Sequence, residues 1–428
     1  MNLNLKDLVD LFMMKINDAT HYMKYELKNI KMKTIETLDM DKIKDKEQRL
    51  ALNKWASNNF VGSIIAGTGF GKSRCGILAI KYVFEHKYNL DKYGTKALIL
   101  VPTVQLQDQF RSEFDKWVDD LSWIDNVDIL CYQSAYKLKD QHYDIVVCDE
   151  IHLGLSKEYK KFFDNNTYDK LLCMTATVPE EKEYAEYLNI LAPTIYRITL
   201  DQCVKLKLVS PYKIQCMPVE LTKDERALYK AINNQFVRSK YILGQFDAFD
   251  RAKSIMKNIN AHPEDKKAAA QFYQAIRERK AVIDFAENKI KIFKELVMNN
   301  LDKKILAFSG ANDFTDQLST SISPLAMSYH SGKTKKQRET ILDAFKNDTI
   351  KVLCSTKALN QGLDVPDANM GIMCGITSKS LPMIQRVGRL VRFQEGKTGE
   401  IIILYVKDSQ EEKWLKNSTK NLDNVNWM

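Results

Sequence analysis

The residues from 66 to 73 constrain this chain more than any other stretch. They read Ala-Gly-Thr-Gly-Phe-Gly-Lys-Ser, between an apolar strand candidate at 62–65 and a helical run at 75–84. A strand, a glycine-rich turn and a helix in this order are the setting of a phosphate-binding loop, because backbone N–H groups and the helix N-terminus converge on an anion. Lys72 would reach the β- and γ-phosphates of a nucleotide, and Ser73 would ligate Mg²⁺. The alternative is an ordinary glycine-rich turn that contains Gly-Lys-Ser.

Two adjacent carboxylates form the second strong signal. Asp149 and Glu150 directly follow the apolar run at 145–148. Carboxylates at the end of a buried strand are costly unless they have a partner or a task. Asp149 can hold Mg²⁺ through its coordination shell, and Glu150 can orient or deprotonate an attacking water. The alternative is an acidic turn at a strand end, and the phosphate loop makes a nucleotide site the stronger interpretation.

Short apolar runs separated by helical patterns recur along the chain. Continuous apolar runs are typical of buried parallel strands, whose carboxyl ends form the edge at which α/β sheets bind ligands. The runs in the first half lie at 97–101, 127–131, 145–148 and 171–174. Those in the second half lie at 214–218, 304–308, 326–329, 352–354, 370–373 and 400–406, and the last is predicted to close its sheet. The pattern predicts an α/β fold with parallel sheets flanked by helices.

The runs divide the chain into three predicted parts. Residues 1–45 are helical and amphipathic, and they form either a helical cap on the first core or a small docking element. Residues 46–209 form the nucleotide-binding domain, and residues 210–428 form a second α/β domain. Within the second domain, residues 221–300 form a helical insertion with 16 Lys/Arg against 10 Asp/Glu. This basic excess either grips phosphates or belongs to a solvated helix face.

A helix candidate in the second half carries two arginines at positions i and i+3. Arg389 and Arg392 lie on one face of that helix, with Gln385 one turn earlier. Planar guanidinium groups on one face suit the charge that develops on a transferred phosphoryl group. The alternative is that the two arginines are ordinary surface residues. Gln385, one turn earlier, makes this alternative weaker.

The composition is that of a soluble globular protein, with 428 residues, 45% hydrophobic and 28% charged. The net charge of +9 is a mild basic excess, which is compatible with a polyanionic partner. The eight cysteines are scattered, and several lie in apolar runs, which predicts reduced core residues and an intracellular, reducing compartment. No apolar run approaches the roughly 20 residues of a membrane-spanning helix, so no membrane partner is expected.

An ordered series of motifs resembles the superfamily 2 helicases and translocases over roughly residues 46–408. The loop at 66–73 resembles their motif I, in a form that begins with alanine. The further matches are Val101–Thr103 with motif Ia, Tyr132–Ser134 with Ib, Asp149–His152 with a DExH motif II, Thr175–Thr177 with III, Phe308–Gly310 with IV, Ser355–Asp364 with V and Gln385–Arg392 with VI. The resemblance implies two tandem RecA-like domains that close on ATP, with the helical insertion in the second.

The same resemblance implies roles for individual residues. Catalysis would fall to Lys72, Asp149, Glu150 and Gln385, with Arg389 and Arg392 as arginine fingers. ATP would be held by Gln48, Gly67, Thr68, Gly69, Gly71, Lys72, Ser73, Gly362 and Asp364, and Mg²⁺ by Ser73 and Asp149. The amide of Gln48 would pair with the adenine edge, and an exposed helix residue is the alternative there. His152, Thr175 and Thr177 would couple the site to Gln385, and Thr103, Ser134, Ser309 and Thr356 would contact nucleic-acid phosphates.

Within the superfamily, the single helical insertion and the compact chain look like the UvsW and XPB-type group of DNA translocases. That group implies ATP-driven remodelling of DNA, by unwinding and branch migration in recombination, repair or replication. The expected partner is branched or duplex DNA, with single-stranded DNA as a further substrate, and a monomer as the active form in the cytoplasm, or in the host cytoplasm if the protein is viral. Two rivals stay open: an RNA-dependent DExH helicase, and a nucleic-acid-binding scaffold with an inactive ATPase core.

Overall fold

The computed structural model describes residues 43–67, 69–87, 94–356, 368–376, 398–420 and 422–428. The chain separates into two compact units, residues 1–49 and residues 50–428. The first unit contributes to the described residues only the beginning of the first helix. Both parallel sheets therefore belong to the second unit.

The first sheet has six strands in the order β3-β2-β4-β5-β1-β6. All its strand pairs are parallel. The strands are β1 (Val61–Ala66), β2 (Ala97–Val101), β3 (Val127–Cys131), β4 (His142–Cys148), β5 (Thr167–Thr175) and β6 (Thr194–Ile198). The helices are α1 (Ile43–Ser57), α2 (Lys72–Lys87), α3 (Val104–Trp117), α4 (Tyr132–Ala135), α5 (Lys161–Asn165), α6 (Lys182–Leu191) and α7 (Leu200–Lys205). Short 3₁₀ turns lie at Ile124–Asn126 and Ile151–Leu153.

The second sheet has seven strands in the order β13-β7-β12-β11-β8-β10-β9, again with parallel pairs throughout. The strands are β7 (Tyr212–Val219), β8 (Ile305–Phe308), β9 (Ala326–Tyr329), β10 (Val352–Ser355), β11 (Met370–Met373), β12 (Gly399–Val406) and β13 (Val425–Trp427). The helices around it are α12 (Asn312–Ser321), α13 (Lys335–Lys346) and α14 (Gln410–Thr419). Its central strands are buried on both faces, which explains their unbroken apolar sequences.

Four helices form the insertion between β7 and β8. They are α8 (Lys223–Ile242), α9 (Ala248–Lys257), α10 (Pro263–Asp284) and α11 (Glu287–Met298). Thr222 and Glu225 form a capping box at the start of α8, and Pro263 occupies the first turn of α10, so the sequence itself sets where these helices begin. The insertion has its own small core around Leu243 and Phe272.

A buried ion pair fastens the insertion to the second sheet. Lys289, on α11, lies 2.8 Å from a carboxylate oxygen of Glu411 on α14, and both side chains are fully buried. The Lys289 Nζ atom also donates to the Cys374 carbonyl at 3.0 Å, just after β11. The other Glu411 oxygen accepts the Val406 amide at 2.8 Å, so every charge of the pair has a hydrogen bond.

The segment that joins the two sheets is tied to both of them. The Tyr212 hydroxyl, at the start of β7, donates to the buried carboxylate of Asp201 on α7. The other oxygen of Asp201 accepts the Asp423 amide at 3.3 Å, just before β13. Val209, between α7 and β7, is buried beneath the loop that follows β1. The connection is therefore a packed and hydrogen-bonded joint.

The structure adds two strands that the sequence pattern did not predict. β6 lies at one edge of the first sheet, and β13 pairs with β7 at one edge of the second. The strand predicted to close the second sheet, Gly399–Val406, is instead an interior strand between β7 and β11. That prediction was wrong because β12 inserts between β7 and β11 and pairs with both, and β13 then forms the edge beyond β7.

The eight cysteines are all buried and none forms a disulfide, as predicted for reduced core residues. Among the residues described, no helix has the length and apolar character needed to span a membrane.

Candidate active site

The loop after β1 has backbone angles that favour glycine at two positions. Gly69 and Gly71 have φ angles of +90° and +89°, in the left-handed region that favours glycine. A Cβ atom on Gly69 would also lie 2.6 Å from Cγ1 of Val209. Between these glycines, Phe70 is fully buried and packs against Tyr196 with ring centroids 5.6 Å apart. Apolar packing against Val209 and Tyr196 therefore fixes the described part of the loop.

Lys72 begins α2 directly after this loop, and Ser73 follows in the first turn. The Lys72 Nζ atom donates to the Ala66 carbonyl at 3.0 Å, so the ammonium group folds back over the end of β1. A carbonyl is a neutral acceptor, and a phosphate oxygen binds an ammonium group more strongly. The geometry therefore lets Lys72 exchange an internal hydrogen bond for a charged one.

The acidic pair lies after β4, two strands away from β1 across the end of β5. The Asp149 amide donates to the Leu100 carbonyl at 2.8 Å, and the Asp149 carbonyl accepts the Tyr132 hydroxyl at 2.9 Å. Glu150 has a φ of +46°, which is uncommon for a residue with a side chain. Such local strain persists only where the surroundings enforce it, and it is concentrated at functional sites.

Tyr132 is a positioning residue that sequence reasoning missed. Its side chain is buried beneath the acidic pair, and burial raises the pKa of its hydroxyl well above the ordinary value. Gly154 lies against it, since a Cβ atom there would come within 2.5 Å of the Tyr132 ring. The sequence motif predicts only a nucleic-acid contact nearby, and the hydrogen bond to the Asp149 carbonyl depends on how β3 and β4 pack around β2.

Burial and neighbouring charge give the two carboxylates opposite pKa shifts. Burial, and then the charge of Glu150, raise the pKa of Asp149 to about 7, although Lys72 and His152 act in the other direction. Burial also acts to raise the pKa of Glu150, but Lys72, His152 and the Ala176 amide outweigh it and leave that pKa below the ordinary value. Glu150 therefore stays ionised at neutral pH while Asp149 can accept a proton there. Paired carboxylates with divergent pKa values are typical of catalytic sites.

His152 links the acidic pair to the end of β5. Its Nδ1 atom lies 3.0 Å from the Thr175 hydroxyl and 3.4 Å from Oε2 of Glu150. The Thr175 hydroxyl donates to the Thr177 carbonyl at 3.2 Å. Because that hydroxyl hydrogen is already used, Thr175 accepts from His152, which assigns the Nδ1–H form to the imidazole.

One oxygen of Glu150 has room for a further partner. Oε2 is buried and accepts no hydrogen bond from any residue that the structure describes. A buried acceptor without a donor is costly unless a water or ligand supplies one. An ionised carboxylate with a free oxygen, an adjacent second carboxylate and a nearby lysine form a donor set that fits Mg²⁺, phosphate and an activated water.

The predicted nucleic-acid contacts differ in exposure. Ser134 is exposed, and Thr103 is half-buried with a hydroxyl that has no hydrogen-bond partner among the residues described. Ser309 is buried, and its hydroxyl lies 2.5 Å from that of Thr315. Thr356 is also buried and donates to the Asn312 side chain at 3.2 Å. A phosphate contact through the hydroxyls of Ser309 and Thr356 is not supported, because both are engaged in holding the start of α12.

Several predicted residues fall outside the described ones. They are Thr68 of the loop, Gly362 and Asp364 of motif V, and Gln385, Arg389 and Arg392 of motif VI. Gln48 lies in α1 with a buried side chain, which removes the alternative of an exposed helix residue. The roles of all these residues stay predictions.

Two protein families match separate parts of the chain. Residues 41–180 match the family described as "Type III restriction enzyme, res subunit", and residues 288–394 match "Helicase conserved C-terminal domain". The first match contains the loop at 66–73 and the acidic pair. The second begins in α11 and contains motifs IV to VI.

Two relatives are similar to this chain over most of its length. A DNA 3'-5' translocase XPB2 from Sulfurisphaera tokodaii is 24% identical over 400 residues, covering 88% of this chain and 86% of its own. An ATP-dependent DNA helicase Hel308 from Methanococcus vannielii is 25% identical over 430 residues, covering 86% of this chain and 51% of its own. The chain thus spans most of the first relative and about half of the second.

A solved structure supports the fold. The helicase domain of Hef from Pyrococcus furiosus superposes with a TM-score of 0.52 at 15% identity, covering 87% of this chain and 98% of its own. The predicted fold class, two tandem RecA-like domains with a helical insertion in the second, is confirmed.

Proposed function

We propose that this chain, which belongs to the superfamily 2 helicases and resembles their XPB-type group, hydrolyses ATP to move along DNA and remodel it. The observation that carries this proposal is that the phosphate-binding loop after β1 and the acidic pair after β4 lie at the same edge of one parallel sheet. Lys72, from the loop after β1, acts on the charges of both Asp149 and Glu150 after β4. One edge thereby combines a phosphate-binding loop with a carboxylate suited to activate water.

Lys72, Ser73 and Asp149 would hold the nucleotide and its metal. Mg²⁺, when bound, neutralises charge on the β- and γ-phosphates. Ser73 offers a hydroxyl in the first turn of α2, and Asp149 offers a carboxylate at the end of β4. Because burial raises the pKa of Asp149 to about 7, metal binding would displace a proton from that carboxyl at neutral pH and below.

Glu150 would orient and deprotonate the attacking water. Its Oε2 atom is buried, lacks a donor among the described residues, and belongs to a carboxylate that stays ionised. The Nδ1 atom of His152 lies 3.4 Å from this oxygen and hydrogen-bonds to the Thr175 hydroxyl at 3.0 Å. A change at the γ-phosphate would therefore be felt at Thr175 and Thr177, which the family motifs predict to couple to Gln385.

The second domain would complete the site. Arg389 and Arg392 are predicted to stabilise the transition state, an effect worth roughly 10³–10⁵ in rate for arginine fingers. Gly362 and Asp364 are predicted to contact ATP from motif V, and Gln48 to read the adenine edge. These assignments come from the motifs, and each is tested by its own substitution to alanine.

DNA would run along the outer ends of both sheets. Ser134, which is exposed, and Thr103, whose hydroxyl has no hydrogen-bond partner among the described residues, would be the contacts in the first domain. Hydroxyl contacts of this kind bind backbone phosphates, so they position the nucleic acid and carry no base specificity. The relatives whose names specify DNA support DNA as the substrate, and remodelling of branched DNA in recombination, repair or replication by a monomer extends the proposal.

ATP hydrolysis should be measured with single-stranded DNA, duplex DNA, a four-way junction and RNA at one fixed salt concentration, because phosphate contacts make affinity salt-dependent. Lys72→Ala should abolish turnover, whereas Lys81→Ala on the same helix should not. Stimulation strongest with the junction supports the proposal. Stimulation by RNA alone would show that the substrate is RNA and not DNA. If the unmodified protein hydrolyses no ATP with saturating nucleic acid, the result would favour an inactive scaffold.

A further inference from the structure

The far end of the insertion exposes large apolar side chains in one place. We define the insertion tip as residues 234–257, which cover the end of α8, the turn and α9. Phe246 is 95% exposed and Tyr241 is 74% exposed. Val237, Ile242 and Phe249 are each more than half exposed. An apolar cluster of this kind on a soluble protein marks a binding surface.

The exposure is not the result of a missing core. Phe236 of α8 stacks on Phe272 of α10 with centroids 5.4 Å apart, and the guanidinium carbon of Arg279 lies 4.1 Å from the centroid of the Phe236 ring. Leu243 is buried in the same small core. The insertion therefore buries one set of apolar residues and presents another.

A hydrogen-bonded turn directs Phe246 outward. Gly244 and Gln245 both have positive φ angles, +88° and +48°. The Gln245 amide donates to the Lys240 carbonyl at 3.0 Å, and the Phe246 amide donates to the Gly244 carbonyl at 2.6 Å. The φ of +88° at Gly244 lies in the left-handed region, so this turn favours glycine there. The chain is shaped to hold Phe246 in solvent.

Basic side chains share this surface. A groove of about 730 Å³ is lined by Asn234, Val237, Arg238, Lys240, Tyr241 and Phe246, among others. Across the whole tip there are five basic residues, Arg238, Lys240, Arg251, Lys253 and Lys257, against two acidic ones, Asp247 and Asp250. The groove itself thus combines two cations, Arg238 and Lys240, with the aromatic rings of Tyr241 and Phe246.

This combination matches unpaired nucleic-acid bases better than other ligands. A ligand recognised only through its phosphate groups would need cations, and it would not explain why Phe246 is exposed. Protein interfaces are depleted in lysine, which is abundant here. Proteins that hold single-stranded DNA combine cations for the backbone with aromatic rings on which bases stack.

We propose that the insertion tip binds unpaired DNA bases by stacking them on Phe246 and Tyr241 while Arg238 and Lys240 hold the backbone. This inference deepens the proposed function and rests on it, since it names the part of a DNA substrate that this surface takes. The inference predicts that the protein binds forks, gaps and single strands more tightly than intact duplex of the same length.

The test is fluorescence anisotropy with a labelled 30-nucleotide single strand and the matching duplex, without ATP. Phe246→Ala should weaken single-strand binding roughly 5- to 150-fold and leave duplex binding nearly unchanged. Ile259→Ala is the matched control, because Ile259 is 90% exposed and does not line the groove. Phe246→Trp should retain the affinity. Since Phe246 is in solvent, its truncation should not disturb the fold, and thermal melting checks this.

Salt dependence separates stacking from charge. Phe246→Ala should leave the slope of log affinity against log salt unchanged, whereas Lys240→Ala should reduce it by roughly 0.7. A 2-aminopurine placed in the strand should be quenched by the unmodified protein and less by Phe246→Ala. Equal affinities for Phe246→Ala and Ile259→Ala would overturn the inference. So would a loss of self-association in Phe246→Ala, which would assign the surface to a second copy of the chain.

The outcomes also distinguish this inference from the function beneath it. If DNA stimulates ATP hydrolysis but Phe246→Ala binds single strands like the unmodified protein, only the role of the tip is wrong. If DNA does not stimulate hydrolysis at all, the proposed function fails, whatever the tip binds.

Discussion

Asp149 should weaken the ligand-free fold at neutral and alkaline pH, and Asp149→Asn should strengthen it. Its pKa is about 7 in the folded chain, against an ordinary value of 3.8. A difference of about three pH units corresponds to about 4 kcal/mol between the two protonation states. This is an upper limit for the gain in Asp149→Asn, because the amide must also be desolvated.

The sign of the effect follows from which state binds the proton. Below about pH 4 the carboxyl is protonated in both folded and unfolded chains, and the substitution should change little. Between about pH 4 and 7 the unfolded chain loses the proton while the folded chain keeps it, so the unmodified protein loses stability relative to Asp149→Asn. Above about pH 7 the difference should be constant.

Thermal melting in EDTA without nucleotide, from pH 4.5 to 8.5, measures this. A gain of 4 kcal/mol corresponds to roughly 8–16 °C for a domain of 150–250 residues. Adding Mg²⁺ and ADP at pH 8 should then stabilise the unmodified protein more than the variant, since the variant lacks the proposed metal ligand. A melting difference that is the same at pH 4.5 and pH 8, or a variant that melts lower at pH 8, would refute the reasoning.

Three other substitutions test separate contacts. Lys289→Met should lower the free energy of unfolding by about 3–5 kcal/mol because it leaves Glu411 buried and unpaired, and Lys289→Met with Glu411→Leu should recover most of it in a urea titration. A single variant as stable as the double would contradict this. Tyr132→Phe should cost about 1–3 kcal/mol and lower ATP turnover without changing nucleotide affinity, and unchanged turnover would show that its hydrogen bond does not position the acidic pair. Gly69→Ala should abolish nucleotide binding in calorimetry while the chain stays folded, because of its φ of +90° and the contact with Val209; intact binding would mean that the loop adapts.

The sequence was most informative where burial leaves a continuous signature. The run Ala97–Val101 is buried at every position, and the strand was predicted with its observed bounds. Two of the four edge strands, β6 and β13, gave no such signature, since β6 alternates in burial and β13 has only three residues, the last two exposed. An edge strand needs no two-sided apolar cover, so a search for continuous apolar runs can miss it.

At the site, the sequence indicated residue types but not how tertiary contacts engage them. From the sequence motifs, we predicted that Lys72 and Asp149 lie at the same edge of the sheet. The support from Tyr132 and Val209 depends on packing between distant segments, which no local pattern encodes. The same limit explains Ser309, whose strand-end position suggested an outward hydroxyl although it turns inward to Thr315. The basic excess of the insertion was visible in its sequence, and the outward turn of Phe246 was not.

The joint between the sheets connects the phosphate-binding loop directly to β7, so a small rotation there would be enlarged at the far strands of the second sheet. Val209 packs under Gly69, and three residues later Tyr212 begins β7. From β7 to β9 the sheet extends over five strand spacings, or about 24 Å at roughly 4.8 Å each. A rotation of about 8° around β7 would move β9 by about 3.4 Å, which is the rise of one nucleotide along a DNA strand. A rotation of a few degrees about the joint would thus be geometrically sufficient to shift β9 by one base step.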